Sequence, residues 1–153
     1  MPVNSVEDRL WVLDASVMFG WFAACPTSDA AVAVLEQTQT TQRLAPDLAL
    51  IELVNAGWKS HRAGAITSDQ WHAMAKLTPD LLGEVVGSTS ALLQTALRWC
   101  ERLDHPAYDC LYLALAEQRQ ATLITADQRL LKVIAAVDGA RHLAIGLQTW
   151  SGR

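Results

Sequence analysis

Leu10-Trp11-Val12-Leu13-Asp14-Ala15-Ser16 decides the fold: a short apolar run stops on a carboxylate and then changes character. Such a run reads as a buried strand. It delivers Asp14 to the carboxyl edge of a sheet, where open α/β folds place their ligands. Asp14 is therefore the first candidate site residue. Three further acids, Glu52, Asp109 and Asp127, occupy similarly apolar or strand-end settings, and function turns on whether the four meet.

Outward from that strand, residues 15–24 carry Val17, Met18, Phe19, Trp21 and Phe22 and predict a short helix stopped by Pro26. Thr27-Ser28-Asp29 starts a helix over 30–37. Arg43-Leu44-Ala45-Pro46 reads as a second strand closed by its proline. Asp47 reads as the N-cap of a helix over 48–62, with Leu50, Val54 and Trp58 on one stripe and Ile51 beside it. Thr67-Ser68-Asp69-Gln70 fits a capping box, opening a helix that runs through Lys76 and stops before Pro79. Residues 84–87 form a weak third strand. Ser88-Thr89-Ser90 caps a helix to about Arg102, with Leu92, Leu93, Ala96, Leu97 and Cys100 inward. Pro106 opens a helix over 107–118, 121–125 is the clearest later strand, 128–136 is helical, and 142–145 closes as a last strand. Strands separated by helices, with no hairpin signal, predict a three-layer α/β/α sandwich with a central parallel sheet, formed by the 153 residues as a single domain.

The net charge of −4 gives no whole-molecule attraction for nucleic acid, so a polyanion would need local basic residues or bound cations. Lys59, His61, Arg62, Arg119, Arg129 and Lys132 are candidate phosphate contacts, although each also fits a solvated helix end. The three cysteines, Cys25, Cys100 and Cys110, are odd in number and lack CxxC or zinc-like spacing, which favours free thiols in a reducing compartment. Residues 1–9 show no basic segment followed by an apolar one, and the most apolar window, 12–25, is shorter than a membrane helix requires. A soluble, cytoplasmic protein is expected. The six tryptophans are core by default, and any exposed ones among Trp21, Trp58, Trp71 and Trp99 would suit base stacking or a partner groove.

Each acid has a bland reading beside the chemical one. Asp14 and Asp127 fit turn or helix caps. Asp109 fits the favourable end of a helix dipole. Glu52, within Leu50-Ile51-Glu52-Leu53-Val54, is either a surface glutamate or a costly buried carboxylate that needs a donor, a cation or a raised pKa. Asn55, three residues on, is placed to orient it. Topology joins them, because strand ends and helix starts gather at one edge of a parallel sheet. Four carboxylates in one cleft repel, divalent cations offset this, and oxygen-only ligands suit Mg²⁺ or Mn²⁺ rather than zinc.

The run 12–17, the segment 46–56 with Glu52-Leu53-Val54-Asn55-Ala56, the stretch Ala107-Tyr108-Asp109-Cys110-Leu111-Tyr112-Leu113-Ala114, and Thr122-Leu123-Ile124-Thr125-Ala126-Asp127-Gln128-Arg129 together resemble the PIN domain of VapC-type toxin ribonucleases. The likeness spans nearly the whole chain and is least over 77–88. It implies a twisted parallel sheet, frequent homodimers, and a site in which Asp14, Glu52, Asp109 and Asp127 bind Mg²⁺ or Mn²⁺ and carry catalysis. Thr125 and Ser16 match hydroxyl residues that support those acids, and Asn55 matches the amide after the glutamate. The implied activity is metal-dependent hydrolysis of an RNA phosphodiester. The implied partner is a VapB-type antitoxin whose tail occupies a groove near the acids. A haloacid-dehalogenase-like phosphatase would need a second aspartate at position 16, where this chain has Ser16. A PIN-like binding module without catalysis would be expected to lack an acid, and here all four are present.

Overall fold

The computed structural model describes residues 8–152; residues 1–7, which carry most of the amino-terminal stretch read above, lie outside the described part. Five short strands form one parallel sheet in the order β3-β2-β1-β4-β5. They are β1 (Trp11–Leu13), β2 (Arg43–Pro46), β3 (Glu84–Val86), β4 (Thr122–Thr125) and β5 (Ala144–Gly146). Helices α1 (Ala15–Phe19) and α2 (Ser28–Gln37) connect β1 to β2, and α3 (Asp47–Arg62) and α4 (Ser68–Leu81) connect β2 to β3. The return to the other side of β1 passes through α5 (Ser90–Leu103) and α6 (Ala107–Arg119), after which α7 (Gln128–Ala135) leads to β5. Right-handed crossovers put α1 to α4 on one face of the sheet and α5 to α7 on the other, the three layers expected. Among the described residues no helix is long and apolar enough to cross a membrane.

This order creates a switch point. The chain moves from β1 through β2 to β3 in one direction and then adds β4 on the opposite side of β1. Crossovers leave β1 and β4 on opposite faces, so a crevice opens at their carboxyl ends. Register fixes what sits there: Val12 pairs with Leu123 and Leu13 with Ile124, and the Asp14 amide continues the ladder to the Ile124 carbonyl at 3.2 Å. Asp14 and Thr125 thus leave the sheet side by side.

The core explains the sequence signals that produced it. All three residues of β1 are buried. In α6, every residue from Cys110 to Ala116 is buried, as expected of a helix apolar on all sides and held between a sheet and an outer helix, here α5. On the other face α3 and α4 meet closely at Gly57, where a Cβ would lie 2.5 Å from the Met74 sulfur and 2.7 Å from Trp71. The Trp71 indole then donates to the Val54 carbonyl at 3.0 Å. These contacts fix α4 against α3, the helix that carries Glu52.

Four local expectations are corrected. Helix α1 ends at Phe19, with Gly20 as its cap, before Pro26 is reached. Pro46 rather than Asp47 takes the N-cap position of α3; the Asp47 carboxylate instead accepts from the Ser88 hydroxyl at 2.9 Å, tying the loop after β3 to the start of α3. Helix α4 runs through Pro79 to Leu81, because a proline in the last turn forfeits only one intrahelical bond. In α5 the buried stripe is Leu92, Thr95, Ala96, Trp99 and Leu103, whereas Leu93 and Leu97 are 47 % and 59 % exposed. Helix α2 begins at Ser28, two residues before its expected start, and a 3-10 turn precedes β5, which runs to Gly146. All three cysteines are free.

Candidate active site

The crevice at the switch point is an open cleft of about 510 Å³, and Asp14, Glu52, Asp109 and Asp127 all line it, together with Ser16, Cys25, Lys59 and Ser60. Four elements supply the four acids. Asp14 follows β1, Asp127 follows β4, Glu52 lies in the second turn of α3, and Asp109 in the first turn of α6.

Capping and site geometry coexist in the same side chains. Asp14 caps α1: its Oδ1 accepts from the Ser16 amide at 3.1 Å, while Oδ2 accepts from the Thr125 hydroxyl at 2.5 Å. Thr125 in turn accepts from the Asp127 amide at 3.0 Å, so one buried hydroxyl couples the two strand-end acids. Asp127 caps α7 through Oδ1 alone, accepting from the amides of Arg129 at 2.9 Å and Leu130 at 3.0 Å. Among the described residues nothing donates to its Oδ2. The Ser16 hydroxyl accepts from the Ala126 amide at 3.0 Å, so Ser16 reaches Asp14 through its backbone and braces the β4–α7 turn with its side chain.

Two supporting residues escaped the sequence reading. His105 Nε2 donates to Asp109 Oδ2 at 2.7 Å, and the Tyr112 hydroxyl donates to Glu52 Oε1 at 3.2 Å. The expectation that Asn55 orients Glu52 is not met. Asn55 is exposed and lines a separate apolar groove with Leu50, Ile51, Val54, Trp58 and Ala75. Both missed residues had a faint signal: His105 stands four positions before Asp109, and Tyr112 lies one turn after it on the same helix.

Electrostatics sets this cleft apart from a set of caps. Burial pushes the Asp14 carboxyl above its ordinary value, opposed by the Thr125 and Ser16 donors and reinforced by Asp109 and Asp127. Glu52 is pushed up to about 7, first by burial and then by Asp14 and Asp109, against the Tyr112 donor. Among the described residues no basic side chain lowers either one. Carboxylates gathered in this way favour a proton or a cation between them. The donor set is oxygen only, which fits a hard divalent ion. Among the described residues no three acidic, histidine or cysteine side chains close on one point as a ready-made cage.

A parallel α/β sheet with an acid-lined cleft at its switch point defines the class. Comparison with known proteins sets the family: the PIN domain model matches residues 11–136, and the chain belongs to that family. It is 28 % identical over 127 residues to Ribonuclease VapC3 of Pyrobaculum aerophilum, covering 82 % of this chain and 95 % of that one. The fold matches the crystal structure of PAE2754 from the same organism with a TM-score of 0.68 at 23 % identity, over 92 % of this chain and 85 % of the other. It also matches VapBC2 from Rickettsia felis, solved bound to a DNA fragment from its promoter, with a TM-score of 0.63 at 14 % identity, over 93 % and 99 % of the two chains.

Proposed function

We propose that this protein is a metal-dependent endoribonuclease that hydrolyses RNA phosphodiesters, and that it is the toxin of a VapBC-type toxin–antitoxin pair acting in the cytoplasm. The observation that carries the reading is the convergence of four carboxylates, two of them pushed toward the protonated form, on one cleft at the switch point. The likeness to a VapC ribonuclease supports it.

Asp14, Asp109 and Asp127 are the residues that would hold Mg²⁺ or Mn²⁺, with Glu52 beside them. A bound ion of this kind supplies a water of lowered pKa and charge to offset that of the phosphate. The protein's own part is orientation. Thr125, the Ser16 amide and His105 each fix one carboxylate oxygen, leaving Oδ1 of Asp109, Oδ2 of Asp127 and Oε2 of Glu52 without donors among the described residues. Glu52, which lines the same cleft as the three aspartates, is placed to take up the proton that the attacking water loses. Because water is the nucleophile, the products carry a 5′-phosphate and a 3′-hydroxyl, and the RNA 2′-hydroxyl is not consumed.

Protein partners are supported by two exposed apolar surfaces flanking α3. One, about 400 Å³, is lined by Leu48, Leu93, Leu97, Tyr108 and Leu111, with Tyr108 68 % exposed. The other is the Asn55 groove, about 450 Å³. Contiguous exposed apolar side chains are uncommon on a monomer, and an antitoxin and a second copy of the chain are the partners this family reading supplies.

Incubating the purified protein with structured RNAs in Mn²⁺ and in EDTA, and mapping product ends, tests the activity. Cleavage in Mn²⁺ with 5′-phosphate ends, none in EDTA, and none by a folded Asp109→Asn variant are expected. RNA binding without cleavage in any metal would replace this reading with a silent binding module.

A further inference from the structure

A cleft that gathers four carboxylates must still admit a polyanion, and the chain as a whole, at −4, does not help. The six basic side chains that the sequence offered for this task are sorted by the structure. Arg119 is committed to a two-pronged pair with Glu84, at 2.7 and 2.5 Å. Arg62 lies over the Trp58 ring at 5.0 Å, outside the cleft. His61 stacks on Trp71 at 5.5 Å and contacts the Ile66 carbonyl through Nδ1 at 3.2 Å. Arg129 and Lys132, on α7, do not line the cleft, whereas Lys59 does, as the one basic residue among the described residues that line it.

Lys59 is exposed, and among the described residues its ammonium has no ion-pair or hydrogen-bond partner. It follows Glu52 by seven positions on α3, which is the same helix face about 10 Å further along the axis at 1.5 Å per residue. Lys59 is thus exposed on the wall of the cleft that the carboxylates line, one helix face along from Glu52, and its ammonium is open to an external anion.

We infer that Lys59 contacts a phosphate of the RNA flanking the one at the carboxylates, and that it is the residue of this cleft that holds the strand in place. The inference rests on the nuclease reading and adds the residue that draws the substrate in. A lysine suits the task, since a mobile point charge follows a flexible backbone without demanding a fixed fork geometry.

The test measures the binding of a short fluorescein-labelled single-stranded RNA, by anisotropy across a salt series, to Asp109→Asn protein, which holds RNA uncut. Adding Lys59→Met is expected to weaken binding several-fold at low salt and to lower the slope of log affinity against log salt by about one. Lys59→Arg should restore most of both. Arg119→Met, already neutralised by Glu84, should change neither. In the otherwise unaltered enzyme, Lys59→Met should raise KM more than it lowers kcat. Parent-like binding and salt slope in Lys59→Met would overturn the assignment while leaving the nuclease reading intact. Failure of the RNA to bind even with Lys59 present, together with no cleavage by the unaltered chain, would overturn both.

Discussion

The two edges of the same sheet each bury charge, and they treat it in opposite ways. At the amino edge, Arg43 opens β2 almost completely buried, yet its guanidinium is met on every side. It donates to the carbonyls of Leu81 at 2.7 Å, Leu35 at 3.0 Å and Thr38 at 2.8 Å, and to the hydroxyls of Thr38 and Thr40 at 3.1 and 3.0 Å. At the carboxyl edge, Asp14 is 9 % exposed and its charged neighbours are further acids. A buried charge surrounded by neutral partners locks structure, because removing it would orphan those partners. Buried like charges without counter-ions do the reverse, since they cost stability and invite a ligand.

The comparison breaks most visibly at Arg43. Arg43→Met strips the donors from three carbonyls and should destabilise by about 3 kcal/mol, a fall of roughly 6–12 °C in Tm for a chain of this size. Calorimetric melting measures it. A near-neutral result would remove the structural role given to the amino edge.

At the carboxyl edge the expected losses fall on binding. His105 is a positioning residue, fixing one oxygen of Asp109 from a turn in which Asp104 adopts a left-handed conformation at φ 47°. His105→Phe should weaken Mn²⁺ affinity about tenfold, the scale of a lost outer-shell partner, with His105→Gln recovering part of it. Titration calorimetry would show this, while Tm moves little.

The smallest effect is a pH dependence with a definite sign. Glu52 is harder to ionise in the folded chain than in the unfolded one, its pKa rising from 4.5 to about 7. Its favourable contribution is complete below 4.5 and is lost as pH rises through 7. For a half-exposed group, screening reduces this to about 1 kcal/mol. Melting curves of the metal-free protein should therefore decline over that window, and Glu52→Gln should flatten the decline.

Much of this arrangement was legible in the sequence because strands and their ends leave strong local marks. The apolar run stopping at Asp14, and Thr125 two residues before Asp127, place both acids without knowledge of the rest. Glu52 stood out as an acid among large apolar residues. What stayed hidden depends on distance or on rotation about a helix axis. Leu92, Leu93, Ala96 and Leu97 span a broad arc of α5, and only its docking on α6 shows that Leu93 and Leu97 face out while Thr95 and Trp99 turn in. The Tyr112–Glu52 bond joins residues sixty positions apart, and Asn55 faces a different groove from the one its spacing implied. Arg43 gave no signal, since its acceptors are backbone carbonyls that every sequence has.

The central claim is that like charges left together at the carboxyl edge form a divalent-cation site, and direct Mn²⁺ binding tests it. Calorimetric titration of the metal-free protein should show Mn²⁺ binding that Asp14→Asn, still folded, loses. Equal binding by the parent and Asp14→Asn, or none by the parent, would contradict it.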